Sequence, residues 1–174
     1  MYDQVGAFLA LVVPVLIVFY LAFLMFLRPP KPVLLASLLG GVITGLVNSL
    51  VDLAAYYAHW WHYTLSEVIL HLPLPFYISP VLIFGSLAYL LIWHFWYGRV
   101  RWFSYLLLAG VPLFCIIRDI IGATNGSSYI ILDNATLAPF VIAGMWLLAF
   151  FAGFLLFWRL VAPYRPTVIV KDLP

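Results

Sequence analysis

Apolar runs long enough to cross a membrane make up most of this chain and constrain its fold more than any other feature. About 20 consecutive apolar residues span a bilayer as a helix. Hydrophobic residues account for 67% of the 174 residues and charged residues for 8%, whereas a soluble domain has ~25% charged residues. Five segments qualify as spans: residues 6–27, 33–58, 77–97, 102–123 and 137–161. We therefore predict an all-α integral membrane protein, a bundle of about five transmembrane helices that forms a single domain over residues 1–174.

The basic residues predict the orientation of this bundle, because lysine and arginine are retained on the cytoplasmic side. Alternation of the five spans puts all of them except Arg118 on one side of the membrane. That side holds Arg28, Lys31, Arg99, Arg101, Arg159, Arg165 and Lys171. We predict that the N-terminus lies outside and the C-terminus in the cytoplasm. The charged residues are too few and too scattered to form a nucleic-acid-binding surface. We therefore expect no nucleic-acid partner.

Two aspartates near the outer ends of spans are the candidate catalytic residues. Asp52 lies toward the outer end of the second span with Asn48 one helical turn before it, and Asp119 lies at similar depth in the fourth span beside Arg118. An ionisable group inside a span costs at least ~2.5–3.5 kcal/mol and is by default a functional-site hypothesis. We expect Asn48 to donate to Asp52 and Arg118 to pair with one or both aspartates. The alternative is a purely structural ion pair of Arg118 with Asp52 or with Asp119.

An aspartate of this kind can act as a general acid. Apolar surroundings disfavour the charged form of a carboxyl group, so it can keep a proton near neutral pH. Arg118 would favour the carboxylate instead. If one aspartate pairs with Arg118, the other is freer to be the acid.

The two halves of the chain follow a similar order. Spans two and three, like spans four and five, read as helix, aspartate near the outer end, loop, proline, helix. Asp52 and Pro75 in the first half correspond to Asp119 and Pro139 in the second. Chance similarity of apolar helices explains this order about as well as duplication does, so a parallel helix-pair repeat stays one of two interpretations.

The segment HWWHYTLSEVILHLPLPFYISP, residues 59–80, contains most of the histidines. His59, His62 and His71 together with Glu67 supply the ligand types that zinc or iron accept. Their spacing matches no strong metal signature, and the aromatic residues among them are typical of the belt that lies at a membrane interface. These aromatic residues are Trp60, Trp61, Tyr63, Phe76 and Tyr77. We predict an outer aromatic belt and no metal.

Small residues in the second span permit close helix packing. Gly40, Gly41 and Gly45 have the spacing of small residues at helix interfaces. Such a face packs either inside the bundle or against a partner protein, including a second copy in a homo-oligomer. We predict packing inside the bundle.

The order of Asp52, Trp60-Trp61-His62-Tyr63 and Leu72-Pro73-Leu74-Pro75-Phe76-Tyr77 resembles membrane-embedded carotenoid enzymes. The group comprises heterodimeric or archaeal-type lycopene cyclases and bisanhydrobacterioruberin hydratases. The resemblance covers residues 52–77, with a weaker second copy around Asp119. The cyclases carry a Leu-Pro-Leu-Glu-Glu element where this chain has no acid, which favours a hydratase-like or binding role over cyclisation.

The resemblance implies a ligand, a chemistry and a location. Asp52 or Asp119 would protonate a double bond of an isoprenoid or carotenoid-like ligand, with Asn48 and Arg118 tuning the acid. The rings of Trp60, Trp61 and Tyr63 would bind the substrate and stabilise the resulting cation. No redox cofactor is implied, and the expected location is the cytoplasmic membrane of a bacterium or archaeon.

A different class of function competes with this enzyme or lipid binder. The chain has no cluster of Asp, Glu and His inside its spans, which favours a non-catalytic accessory or assembly subunit of a larger membrane complex. A transporter is less favoured, because five spans with few intramembrane polar groups offer little to line a hydrophilic path.

Overall fold

The fold is a bundle of membrane-length helices, as expected from the apolar runs. A computed structural model describes residues 4–65, 69–96, 98–125 and 129–162. Five helices in these ranges are long and apolar enough to cross a membrane. They are α1 Val5–Leu27, α2 Lys31–Tyr57, α3 Leu74–Trp96, α4 Arg101–Thr124 and α5 Ala138–Val161. The predicted all-α membrane bundle is confirmed, with helix bounds close to the predicted spans, while Arg165 and Lys171 lie outside the described residues.

The first helix ends where the sequence breaks the apolar run. Arg28 adopts a left-handed conformation with a φ of 46° and caps α1 through its backbone N–H, which donates to the Leu24 carbonyl. Pro29 and Pro30 follow, and proline has no N–H with which to continue a helix. The chain therefore turns at this point, and α2 begins at Lys31.

Helix α2 packs against both α3 and α5 at very short range. A Cβ atom placed on Gly40 would clash with the Gly153 carbonyl oxygen of α5, and one on Gly41 would clash with the Val81 carbonyl oxygen of α3. Only residues without a side chain allow helix backbones to approach so closely. The prediction that these glycines pack inside the bundle is confirmed.

Hydroxyl groups connect the helices in the interior. The Tyr20 hydroxyl lies 2.7 Å from Ser86 Oγ, and Ser86 Oγ lies 2.9 Å from Ser37 Oγ. Nearer the other end of α2, Thr44 Oγ1 lies 2.7 Å from the Tyr89 hydroxyl. A buried hydroxyl without a partner is costly in apolar surroundings, so these bonds favour one register of α2 on α3.

Two short strands pair at one end of the bundle, which we call the strand end. Strand β1, Trp61–Tyr63, follows α2, and strand β2, Ile130–Leu132, precedes α5. The pair is antiparallel, with Trp61 opposite Leu132 and Tyr63 opposite Ile130. Because the strands lie in the loops after α2 and α4, the strand end is the end that the charge distribution predicts to be outside. Each half of the chain thus contributes a helix, an aspartate and a strand, while the duplication itself stays a prediction.

Candidate functional site

A cavity of about 280 Å³ lies at the strand end of the bundle. Every helix and both strands contribute to its wall, including Phe8 of α1, Asn48 of α2, Tyr77 of α3 and Met145 of α5. Asp52, Asp119 and Arg118 also line it. The three charged residues that the sequence placed at similar depth therefore meet in one cavity.

Asp52 accepts hydrogen bonds from three neutral side chains. Trp61 Nε1 donates to Oδ1 at 3.0 Å, and the hydroxyls of Tyr63 and Tyr77 donate to Oδ2 at 2.8 and 2.5 Å. The Asp52 side chain is almost fully buried, with the residue 5% exposed. A carboxyl group in a membrane helix needs such partners, because no bulk water is present to solvate it.

The alternation of side chains along β1 places two of these donors. Successive residues of a strand point to opposite faces, so Trp61 and Tyr63 share one face and His62 lies on the other. The first face lines the cavity. On the outer face, His62 Nδ1 lies 3.0 Å from both carboxylate oxygens of Asp133. The sequence Trp-His-Tyr thus directs two donors inward and the histidine that contacts Asp133 outward.

Burial keeps the Tyr63 hydroxyl in its donating form. Desolvation, followed by the nearby Asp52 carboxylate, raises the pKa of Tyr63 well above its usual value of 10.0. A protonated tyrosine donates a hydrogen bond, and a phenolate cannot. Tyr63 therefore remains a donor to Asp52 through neutral and moderately alkaline pH.

Asp119 has a different set of partners. Arg118 Nε donates to Asp119 Oδ1 at 2.7 Å, and Arg118 Nη2 lies 2.6 Å from the same oxygen. Trp146 Nε1 of α5 donates to Oδ2 at 2.7 Å. Arg118 also stacks on two rings, with Cζ 5.0 Å from the centroid of Phe84 and 5.5 Å from that of Trp146. Of the two ion pairs left open by the sequence, Arg118 with Asp119 is the one that forms.

Three rings in contact line part of the cavity, with Phe76 stacked on Tyr129 and Phe8 edge-on to Phe76. The ring centroids of Phe8 and Phe76 are 4.1 Å apart, and those of Phe76 and Tyr129 are 4.8 Å apart. Phe8 begins a π-helical segment of α1, Phe8–Val12. Helix α1 is the least buried of the five helices, and the ring of Phe8 connects it to the site through Phe76.

Asn48 and Trp60, two of the predicted substrate-binding residues, make other contacts than expected. Asn48 lines the cavity, but its Nδ2 atom donates to the Thr44 carbonyl at 2.8 Å instead of to Asp52. A helical side chain at this spacing reaches its own preceding turn more readily than the next carboxylate. Trp60 packs beside the buried cluster around Trp61 and Trp146 and does not contribute to the described cavity wall. It follows the exposed turn at His59, whose φ is 52°, and precedes the inward-facing Trp61.

The histidines of segment 59–80 contact different partners and do not converge. His62 pairs with Asp133, and the His71 ring stacks on Tyr56 with 3.8 Å between centroids. Within the described ranges, no three His, Cys, Asp or Glu side chains lie close enough to hold a metal ion. Glu67 lies outside the described residues.

Tyr77 and Trp146 are the site residues whose role sequence reasoning missed. The sequence pattern places Tyr77 only in the aromatic belt and gives Trp146, which lies within the fifth predicted span, no role. Both polar atoms reach an aspartate on a different helix. The one sequence signal that pointed to them is the cost of an aspartate in a span, which requires donors from neighbouring elements.

The fold and site together define a class: a polytopic all-α membrane protein with an aromatic-lined, carboxylate-containing cavity at one end of its bundle. No family model, curated protein or solved structure matches the chain.

Proposed function

We propose that this protein binds the end of an isoprenoid or carotenoid-like ligand in the strand-end cavity and protonates one of its double bonds. The observation that carries the proposal is the meeting of Asp52 and Asp119 with the rings of Trp61, Tyr63 and Trp146 around one cavity. Such a wall combines a proton donor with faces that attract a cation.

Asp52 is the proposed acid. Asp119 is held by Arg118 and Trp146, which occupy both of its carboxylate oxygens. The three groups that donate hydrogen bonds to Asp52 are all neutral. Its three donors hold the carboxyl group in a fixed orientation towards the cavity, which is the requirement for efficient proton transfer.

The reaction balances without a redox partner. The Asp52 O–H bond breaks, the π electrons of the substrate form a new C–H bond, and the neighbouring carbon becomes a cation beside the aromatic rings. Water then adds to this carbon and releases a proton, or an adjacent C–H bond loses its proton to restore a double bond. In either case Asp52 receives a proton and the cycle closes.

The size of the cavity supports binding of one end of a long molecule. Its 280 Å³ is slightly below the ~300–1,000 Å³ of pockets that enclose a drug-sized ligand. A long polyene would place its terminal unit in the cavity and its remaining chain along the apolar helices in the bilayer.

Deuterium transfer tests the proposal directly. The purified protein in lipid nanodiscs is incubated with an acyclic carotene in heavy water, and the products are examined by mass spectrometry. We expect deuterium on a carbon of the terminal unit. Asp52→Asn should lower incorporation by about a hundredfold or more, the range of general-acid catalysis. Asp133→Asn, which removes an aspartate outside the cavity, should leave the rate unchanged.

A second variant separates chemistry from folding. Asp52→Glu keeps a carboxyl group and should retain part of the activity, and melting temperatures identify any variant that unfolds. Wild-type protein that adds no deuterium, or an Asp52→Asn variant as active as wild type, would refute the proposal. Purification only as part of a fixed complex, without a bound isoprenoid, would instead favour the accessory-subunit function.

A further inference from the structure

The charges of the cavity distinguish between ligands by their sign. Asp52, Asp119 and Arg118 are the charged side chains in its described wall. The charges of Asp119 and Arg118 cancel, so the cavity has no net charge while Asp52 holds its proton and one excess negative charge when Asp52 is ionised. At short range such an excess attracts a cation and repels an anion.

Arg118 is the group that would have to receive an anionic ligand, and Asp119 already holds it. Its Nε and Nη2 atoms both contact Asp119 Oδ1. Its guanidinium lies over the rings of Phe84 and Trp146, and Trp146 in turn donates to Asp119. Asp119 and the two rings thus hold the arginine in place. Its Nε and Nη2 donors are already engaged by Asp119 and are not available to an incoming phosphate.

The remaining wall also favours positive charge. Trp61, Tyr63, Phe76 and Tyr77 line the cavity, and the face of an aromatic ring carries partial negative charge that attracts alkylated ammonium groups. The donors to Asp52 use their N–H and O–H groups on that carboxylate, so these groups are not directed at a ligand anion.

We infer that Asp119 determines the charge selectivity of the cavity: by holding Arg118, it makes the site accept an apolar chain that ends in an ammonium group and reject one that ends in a phosphate. The inference rests on that part of the proposed function in which a chain end enters this cavity, and not on the proton-transfer step. It assigns to Asp119 a role in specificity that is separate from the proposed acid, Asp52.

Three probes of equal chain length test the inference. Hexyltrimethylammonium, hexanol and hexyl phosphate are titrated against the wild-type protein in nanodiscs of uncharged lipid, with binding measured by calorimetry. Empty nanodiscs correct for partitioning into the bilayer. We expect the ammonium probe to bind most tightly and the phosphate probe most weakly.

Two variants should move this preference in opposite directions. Asp119→Asn frees Arg118 and removes a negative charge, so ammonium binding should weaken by about tenfold and phosphate binding should become measurable. Arg118→Gln leaves the carboxylates without their cation, so ammonium binding should tighten by about tenfold. Asp133→Asn is the matched control and should change neither affinity.

The outcomes separate this inference from the proposed reaction. Equal binding of ammonium and phosphate probes, or an Asp119→Asn variant with unchanged preference, would overturn the charge selectivity even if deuterium transfer occurs. Clear preference for the ammonium probe with the expected response of both variants would support it even if no polyene is protonated. If either variant unfolds, the other still decides, because their predicted changes have opposite signs.

Discussion

At the scale of single residues, the hydrogen bond between Tyr77 and Asp52 is the shortest contact of the site. The two oxygens are 2.5 Å apart. We predict that Tyr77→Phe destabilises the protein by ~1–3 kcal/mol, because a buried carboxyl group loses one of its donors. Thermal unfolding in detergent measures this effect, and deuterium transfer should fall as Asp52 becomes less well oriented.

Tyr57→Phe is the control for that substitution. Tyr57 lies on the same helix as Asp52, but its side chain is 68% exposed, and a phenylalanine keeps its ring contacts. Its melting temperature should match that of the wild type. If Tyr77→Phe and Tyr57→Phe have the same melting temperature, the hydrogen bond from the Tyr77 hydroxyl to Asp52 does not stabilise the protein.

The raised pKa of Tyr63 lowers the free energy of unfolding at alkaline pH. Burial raises its pKa well above 10.0 in the folded protein, so above about pH 10 the unfolded chain loses this proton while the folded protein retains it. Stability therefore falls as the pH rises towards the folded pKa, by up to ~1.4 kcal/mol per pH unit. We predict that Tyr63→Phe shows a smaller loss of melting temperature than the wild type between about pH 8 and about pH 11. An identical loss in both proteins would contradict this.

Sequence reasoning reached some of these residues and missed others for a physical reason. The depth of Asp52 and Asp119 follows from counting along a helix, and Arg118 can contact Asp119 because it is the preceding residue. The donors Tyr77 and Trp146 belong to helices far along the chain. Nothing local in their sequence distinguishes them from other aromatic residues at a membrane interface or in a span.

At the scale of elements, the close crossing of α2 and α5 requires glycine at the point of contact on each helix. A Cβ atom on Gly153 would clash with Gly40, Thr44 and Tyr89, whereas one on Gly144 of the same helix would meet nothing within 4 Å. We predict that Gly153→Ala destabilises the protein by ~1–3 kcal/mol through overpacking. Gly144→Ala should be neutral or stabilising by up to ~1 kcal/mol, since alanine favours a helix.

Melting temperatures of the two alanine variants provide the comparison. Gly144→Ala controls for the change in helix propensity, so the difference between the variants isolates the packing term. Equal stability would mean that α2 and α5 can separate without cost. It would also weaken the assignment of Tyr89 and Thr44 to a rigid interface.

Helices and strands differed in how well the sequence predicted them. The helices follow from long apolar runs and proline breaks, which are local signals. Strands Trp61–Tyr63 and Ile130–Leu132 have three residues each, too few to show a period of two against an apolar background. Their pairing joins two loops from different halves of the chain, so only the tertiary fold brings them together.

At the scale of the whole molecule, the cavity exists only when all five helices are assembled. Its wall takes residues from α1 to α5 and from both strands. The side of the membrane on which it lies therefore decides which compartment supplies its water and protons. The basic residues predict that this side is the outside.

Cysteine labelling in intact cells tests that orientation. The native Cys115 is fully buried, so it should contribute little background with a membrane-impermeant maleimide. Ala135→Cys introduces an exposed thiol beside the strand end, and Val100→Cys introduces one in the turn between α3 and α4. We predict that the first variant is labelled in intact cells and the second only after the membrane is permeabilised.

The reverse labelling pattern would place the cavity on the cytoplasmic side and contradict the charge-based topology. The helix packing and the contacts of Asp52 would be unaffected, because they do not depend on which side faces out. A reversed protein would draw its protons from the cytoplasm, so the rate of deuterium transfer in cells would follow internal and not external pH. Labelling of both thiols in intact cells would instead indicate a mixed orientation, which the strong asymmetry of the basic residues argues against.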